Sequence, residues 1–297
     1  MKNTTAICVL ALSLALVGTA SAAEDPFARA RIGWNQPMAP FHIIGNIFYV
    51  GTAGTSAFLI STPQGLILTD GGLPESAEQI EANIRALGFD IRNVKIMLNS
   101  HAHFDHAGAL AKIKRDSGAR MIASEADKPF LEKGLISFGP SVADPFPPVT
   151  VDRTVKDGDT VVLGGVTLTA HLTPGHTPGC TSWTMPIAEG NENHNVIFFC
   201  SITGGGNPLL DNKAYPAIAR DYKATFAKLK TMDADIFLAP HGEQFGLAKK
   251  LAAMKANVGA AGAPNPFIDS NEFHSFMMLQ EKQFDDTLAR QQAAVKP

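Results

Sequence analysis

The sequence predicts an α/β fold built from two β-sheets with helices outside. Short apolar, partly β-branched runs bounded by Gly and Pro recur from Ile43 to Ala239. Strand-like runs come first and helical spacing follows in each half of the chain, an order that favours two sheets covered by helices. With 45% hydrophobic and 18% charged residues, the composition provides for a substantial core.

The first 22 residues stand apart. Lys2, an apolar run from Ala6 to Gly18 and the ending Thr19-Ala20-Ser21-Ala22 make a secretory signal peptide, with cleavage expected after Ala22. The run is too short to span a bilayer, and no stop-transfer pattern supports a retained anchor. Residues 23–297 are expected to form one periplasmic domain, since no low-complexity linker and no repeat divides them. Of 3 cysteines, Cys8 lies in the signal, which leaves Cys180 and Cys200 in an oxidising compartment. The net charge of -3 is too small to steer binding to nucleic acid or an anionic membrane. Oligomeric state is not legible.

Ala23 to Pro40 reads as a polar lead-in carrying Trp34. Ile43–Val50, Ala57–Ser61 and Gly65–Thr69 read as strands, ended sharply by Asp70-Gly71-Gly72. Pro74 starts a helix with Ile80, Ile84 and Leu87 on one face. Val94–Leu98 reads as a buried strand, and Ala107–Ile113 as a helix. A strand at Met121–Ala123 and a short helix through Pro129–Leu131 follow. Gly134–Val149 holds Gly139, Pro140, Pro145, Pro147 and Pro148, which makes it a long ordered loop or lid. Thr160–Leu163, Val166–Leu172, Thr181–Met185 and Asn195–Ser201 read as strands, and Gly204–Pro208 as a loop. Ile218–Leu229 reads as a helix, Ile236–Ala239 as a strand and Leu247–Ala256 as a helix. A last helix begins near Ser270, with a charged outer face.

Chemistry concentrates in His101-Ala102-His103-Phe104-Asp105-His106, on the turn leaving Val94–Leu98. In an extended segment His101 and His103 point the same way and can share a cation. Asp105 and His106 fall where the helix begins, a place that favours a carboxylate. Imidazoles with one carboxylate suit zinc, whereas calcium or magnesium would want mainly oxygen. One zinc cannot easily use all four groups, but two neighbouring ions can. His176 in Thr173-Pro174-Gly175-His176-Thr177-Pro178-Gly179 and His241 in Ala239-Pro240-His241-Gly242 also follow strands, on backbone that Gly and Pro turn tightly. They complete two sets of three ligands, which leaves positions open for water and substrate. His42, His171, His194 and His274 lack such surroundings, so surface or hydrogen-bonded roles are expected for them.

In this order and spacing, HAHFDHAG, TPGHTPG and the later APHG resemble the metallo-β-lactamase superfamily, and Asp70-Gly71-Gly72 resembles its early Asp-Gly turn. The likeness runs from about Trp34 to the last helix and implies a four-layer αββα sandwich with a dinuclear zinc site. Carried over by motif, His101, His103 and His176 would hold one Zn²⁺, and Asp105, His106 and His241 the second. The superfamily includes thioesterases, lactonases, phosphodiesterases, persulfide dioxygenases and β-lactamases. Many non-lactamase members place a bridging aspartate at the end of the strand that here reads Phe198-Phe199-Cys200-Ser201-Ile202-Thr203, where this chain has no carboxylate. HTPGCTSWTM, Ser201 with Thr203, Trp34 and the export signal resemble subclass B3 metallo-β-lactamases. That likeness implies hydrolysis of the β-lactam amide of penicillins, cephalosporins and carbapenems by a metal-bridging hydroxide, conferring antibiotic resistance. Asp105 would orient the hydroxide as the catalytic carboxylate. Ser201 and Thr203 would bind the substrate carboxylate, and Trp34 would cover its side groups, as would Leu135, Ile136 and Phe138. The alternatives are a periplasmic dizinc lactonase or thioesterase, and a zinc-binding protein without turnover.

Cys180 follows His176 at the start of one strand, and Cys200 ends the next. If these strands run antiparallel, the two cysteines come within disulfide reach. A Cys180–Cys200 bridge is therefore expected, and the competing reading makes Cys200 a zinc ligand in the manner of subclass B1.

Overall fold

The computed structural model describes residues 27–204, 206–259 and 262–295. The expected signal peptide, 1–22, lies outside them. The chain begins with helix α1 (Ala28–Trp34) and strands β1 (Phe41–Ile44), β2 (Ile47–Tyr49), β3 (Phe58–Thr62) and β4 (Gly65–Thr69). Helix α2 (Ala77–Ala86), strand β5 (Val94–Leu98), helices α3 (Phe104–Ala107) and α4 (Leu110–Ser117), strand β6 (Arg120–Ser124), helix α5 (Lys128–Lys133) and strand β7 (Arg153–Val155) follow. These strands form one seven-stranded sheet in sequence order, antiparallel from β1 to β4 and parallel from β4 to β7.

A second sheet comprises β8 (Thr160–Leu163), β9 (Val166–Leu172), β10 (Thr181–Glu189), β11 (Glu192–Phe198) and, after helix α6 (Ile218–Leu229), β12 (Ile236–Leu238). Its order is β12-β11-β10-β9-β8, antiparallel except for the β11–β12 pair. Helices α7 (Leu247–Ala256) and α8 (Glu272–Val295) close the order. The architecture is the expected four-layer α/β sandwich.

Alternation along the strands builds its layers. Ile60, Ile67, Leu98 and Ile122 of the first sheet join one core with Trp183, Met185, Val196 and Phe198 of the second. Their neighbours Leu59, Leu66, Leu68, Met97 and Met121 point the other way, onto Ile80 and Ile84 of α2 and Leu110 and Ile113 of α4. In the second sheet, Phe198 meets Phe58, while Phe237 packs against Phe273 and Phe276 of α8. Both faces are thus covered, which is why β11 and β12 end in unbroken apolar runs.

Several boundaries differ from expectation; β10 runs on to Glu189 where Met185 was expected, and β11 spans Glu192–Phe198 where Asn195–Ser201 was expected. Ile43–Val50 is a hairpin, not one strand, because Gly45 turns the chain at a φ of 53°. The helix expected over Ala107–Ile113 is split into α3 and α4 at Gly108, whose Cα packs so closely on Pro74 that a Cβ there would collide with it. The lead-in contains α1, which buries no residue and so leaves no apolar stripe to read. Three-residue β7 is a short edge strand that gave too little pattern to see. Gly134–Val149 is loop, as expected, with one 3₁₀ turn at Pro140–Ala143.

Candidate metal centre

The expected ligands all leave the ends of strands on one edge of the sandwich. His101 follows β5, His176 follows β9 and His241 follows β12. Asp70, at the end of β4, fixes the first of these turns. Its Oδ1 accepts from Asn99 Nδ2 at 2.9 Å and Ser100 N at 2.7 Å, and its φ of 56° lets it curl back over them. Burial pushes the Asp70 carboxyl up, against the pull of His106 and these donors.

Two groups of three donors result: His101, His103 and His176, and Asp105, His106 and His241, each with its ligand atoms within 4.8 Å of one another. In the first, His103 Nδ1 lies 3.0 Å from His176 Nε2. His176 Nδ1 donates to Thr203 O at 2.8 Å, so its Nε2 carries a lone pair toward His103. His101 Nε2 is buried without a hydrogen-bond partner, and its Nδ1 lies 3.0 Å from Ser100 Oγ. In the second, His106 Nε2 and His241 Nε2 lie 3.2 Å apart, each 3.4 Å from Asp105 Oδ2. His241 Nδ1 donates to Gly54 O at 3.1 Å.

Converging lone pairs and an orphaned buried nitrogen fit cations, and the nitrogen-rich donor set fits zinc. Burial, reinforced by the neighbouring imidazoles, holds His101 and His103 well below the usual histidine range. Burial likewise pushes His176 down to about 4. All three are therefore neutral, the form that binds metal. Burial opposes the charges of His106 and Asp105, but their mutual attraction wins. His106 is raised, and Asp105, also held by His241, stays well below the carboxylate range.

A buried carboxylate that sequence reasoning missed ties the first group together. Asp127 accepts from Ala102 N at 3.0 Å, Thr177 Oγ1 at 2.7 Å and Gly179 N at 2.8 Å, joining the His101–His103 and His176 segments. Its only signal was its place just after a strand, the setting the histidines share. Nearby, the structure joins Cys180 and Cys200 in a disulfide, with Cα atoms 5.8 Å apart. The antiparallel β10–β11 pairing brings them together, and the bond leaves no free thiolate at Cys200 to bind metal.

Both groups face a cavity of about 350 Å³. Trp34, Phe27 and Phe104 form one wall, and Pro140 and Ser141 of the proline-rich loop contribute to another. Thr203 lines it, whereas Ser201 is 2% exposed and sits behind, its Oγ 3.4 Å from Thr203 Oγ1. Ile136 and Phe138 are buried in the core between the sheets and do not line the cavity. Arg31 of α1 lies over the Phe104 ring and pairs with Asp144 at 2.6 Å, tying helix to loop. His42, His171, His194 and His274 sit elsewhere, near Gly45 O, Thr184, Glu192 and Asp233 respectively.

The metallo-beta-lactamase superfamily model matches residues 50–241, a span holding every one of these ligands. The chain belongs to the metallo-β-lactamase superfamily. It is thus related to metal-dependent hydrolases, usually of zinc. Among solved structures, BJP-1, a subclass B3 metallo-β-lactamase of Bradyrhizobium japonicum, is 46% identical, with a TM-score of 0.84 over 90% of this chain and 100% of that one. FEZ-1 of Legionella gormanii is 38% identical, with a TM-score of 0.82 over 87% and 98%. A Cronobacter sakazakii metallo-β-lactamase with a HARLDQ motif is 44% identical, with a TM-score of 0.83 over 89% and 99%. The run here reads HAHFDH instead, with histidine in the third and sixth places. Curated relatives match over shorter stretches. A probable metallo-hydrolase of Burkholderia pseudomallei is 34% identical over 41% of this chain and 40% of its own length. A hydroxyacylglutathione hydrolase of Hyphomonas neptunium is 41% identical over 34% of this chain and 32% of its own. The chain thus spans well under half the length of these two relatives.

Proposed function

We propose that this chain is an exported β-lactamase that uses two zinc ions, one held by His101, His103 and His176 and the other by Asp105, His106 and His241. Residues 1–22 are its signal peptide, and 23–297 are one periplasmic domain. The observation that carries the substrate class is the reach of the likeness. A subclass B3 lactamase is 46% identical to this chain in a superposition that covers 90% of it, whereas the 41% identity to the thioester hydrolase above is confined to 34% of it.

When bound, two zinc ions supply Lewis acidity and a water nucleophile active at neutral pH. The chain's own residues do the rest. Asp105 turns Oδ2 toward both His106 and His241, so one carboxylate oxygen holds that site together and orients the attacking water. Thr203 Oγ1 donates to the substrate carboxylate, and Ser201 supports it from behind. Trp34, Phe27 and Phe104 cover the substrate's apolar substituents and exclude bulk water.

Hydrolysis of a carbapenem by the purified mature protein is the test. Activity should be abolished by a chelator, restored by zinc and untouched by inhibitors that acylate a catalytic serine. Cleavage of hydroxyacylglutathione thioesters or acyl-homoserine lactones with none of β-lactams would favour the dizinc thioesterase or lactonase reading.

A further inference from the structure

The Thr203 carbonyl that receives His176 Nδ1–H also receives a second donor from an element remote from the ligand motifs. Tyr222, on α6, donates its hydroxyl to Thr203 O at 2.6 Å. One oxygen thus uses both its lone pairs, one on the ligand's ring and one on a tyrosine. The Tyr222 side chain is buried, with its ring against Phe226 and Phe284. The same ring underlies the backbone that carries His176. Gly175 has a φ of 142°, and a Cβ there would come 2.7 Å from the ring. Tyr222 therefore meets the His176 segment twice, by its face under Gly175 and by its hydroxyl at Thr203 O.

Packing alone does not fix that carbonyl. A cavity of about 430 Å³, lined by Thr203, Tyr222, Leu209, Phe284 and Gln291, lies between Thr203 and α8. On this side, the tyrosine hydroxyl is the group that pins Thr203 O. From these contacts we propose that Tyr222 is a positioning residue for the first metal site, holding the Thr203 carbonyl so that His176 keeps its tautomer and aims Nε2 at the cation. The proposal rests on the two-site reading above. Because Thr203 also lines the substrate cavity, one hydroxyl sets the positions of a metal ligand and a substrate-facing residue together.

The test uses metal-free mature protein titrated with Zn²⁺ against a chromophoric chelator, in a His241→Ala background that isolates the first site. Tyr222→Phe keeps the ring and removes only the hydroxyl. It should weaken zinc at the first site by about 10-fold, the lower end of the effect of losing a group that orients a ligand. In a His176→Ala background, the same change should leave the remaining site unaltered. Tyr215→Phe removes a hydroxyl bonded to Asp221 instead, and should change neither site. Gly175→Ala crowds the ring while keeping the hydroxyl, and should produce the same selective loss. Equal first-site affinity with and without the Tyr222 hydroxyl overturns the proposal, as does equal weakening of both sites. A parent chain that binds no zinc overturns both the proposal and the two-site reading, whereas a parent that binds two ions and a Tyr222→Phe form indistinguishable from it overturns the proposal alone.

Discussion

Behind the first three ligands stand Asp127 with its three donors, the Thr203 carbonyl, Ser100 Oγ and the Cys180–Cys200 disulfide. Behind the other three there is much less. His241 Nδ1 reaches only the Gly54 carbonyl, and His106 Nδ1 is buried without a partner. Asp105 and His106 ride on α3, a helix of four residues. Exposure sets only one ligand apart: the other five are buried, and the His241 side chain is 15% exposed. The first group is held by contacts with the surrounding protein, while the second is held mainly by attraction among its own members. On the proposed two-ion reading, the better-supported side would fix one ion, and the less supported side would hold the ion that meets the substrate.

The largest effects should come from the ligands themselves. His101→Ala and His241→Ala should each lower β-lactam hydrolysis by more than about 100-fold, measured as kcat/KM at saturating zinc. A fall of less than tenfold for either would remove that residue from the centre.

The supports of the first group should show in stability. Asp127 titrates near 6 because burial outweighs its three donors. The native state therefore holds that proton more tightly than the unfolded chain does, whose carboxyl titrates near 3.8. The sign follows. Stability is greatest with the proton bound and falls as pH rises from about 4 to about 6, on the order of 3 kcal/mol in all. The buried neutral histidines pull stability the other way over that range, so in chemical unfolding of the metal-free protein the effect should show as the difference in slope between the parent and Asp127→Asn. Parallel slopes in the two proteins would contradict the assignment. The disulfide should contribute roughly 3 kcal/mol by loop closure across its 20-residue separation. Paired Cys180→Ser and Cys200→Ser changes read that loss, and thiol titration of the unfolded, metal-free mature protein, which lacks Cys8, should find no free thiol.

The smallest effects should come from the substrate wall. Thr203→Ala should raise KM by about 10-fold through loss of a hydrogen bond to a charged group. Ser201→Ala should raise it by less than about 3-fold, because Ser201 stands behind Thr203. The reverse order in steady-state kinetics would exchange their roles.

What the sequence made legible follows from where the information lies. Four metal-competent side chains within six residues need no tertiary argument, and Gly and Pro around His176 and His241 mark strand ends that present a side chain. Strands such as Gly65–Thr69 and Val94–Leu98 could be read to the residue because both sheets are buried. Asp127 and Tyr222 were hidden for a shared reason: each acts on backbone groups far away in sequence. Tyr222 lies 19 residues from its acceptor, and at helical spacing among apolar residues it looks like ordinary core. Helix α1 was hidden because it buries no residue fully, although it brings Trp34 to within 5.2 Å of the His241 ring. The expected helix is interrupted where Gly108 turns its N–H to the Gly72 carbonyl, more than thirty residues earlier, a contact no local pattern encodes.

The division into two differently supported sites is tested most directly by titrating metal-free mature protein, its His176→Ala form and its His241→Ala form with zinc, and counting bound ions. Two ions in the parent are expected, with one lost in each variant. The ion kept by His241→Ala should bind as tightly as the tighter of the parent's two, because the first group stays braced. A single ion in the fully active parent, or loss of both ions in His241→Ala, would contradict the account.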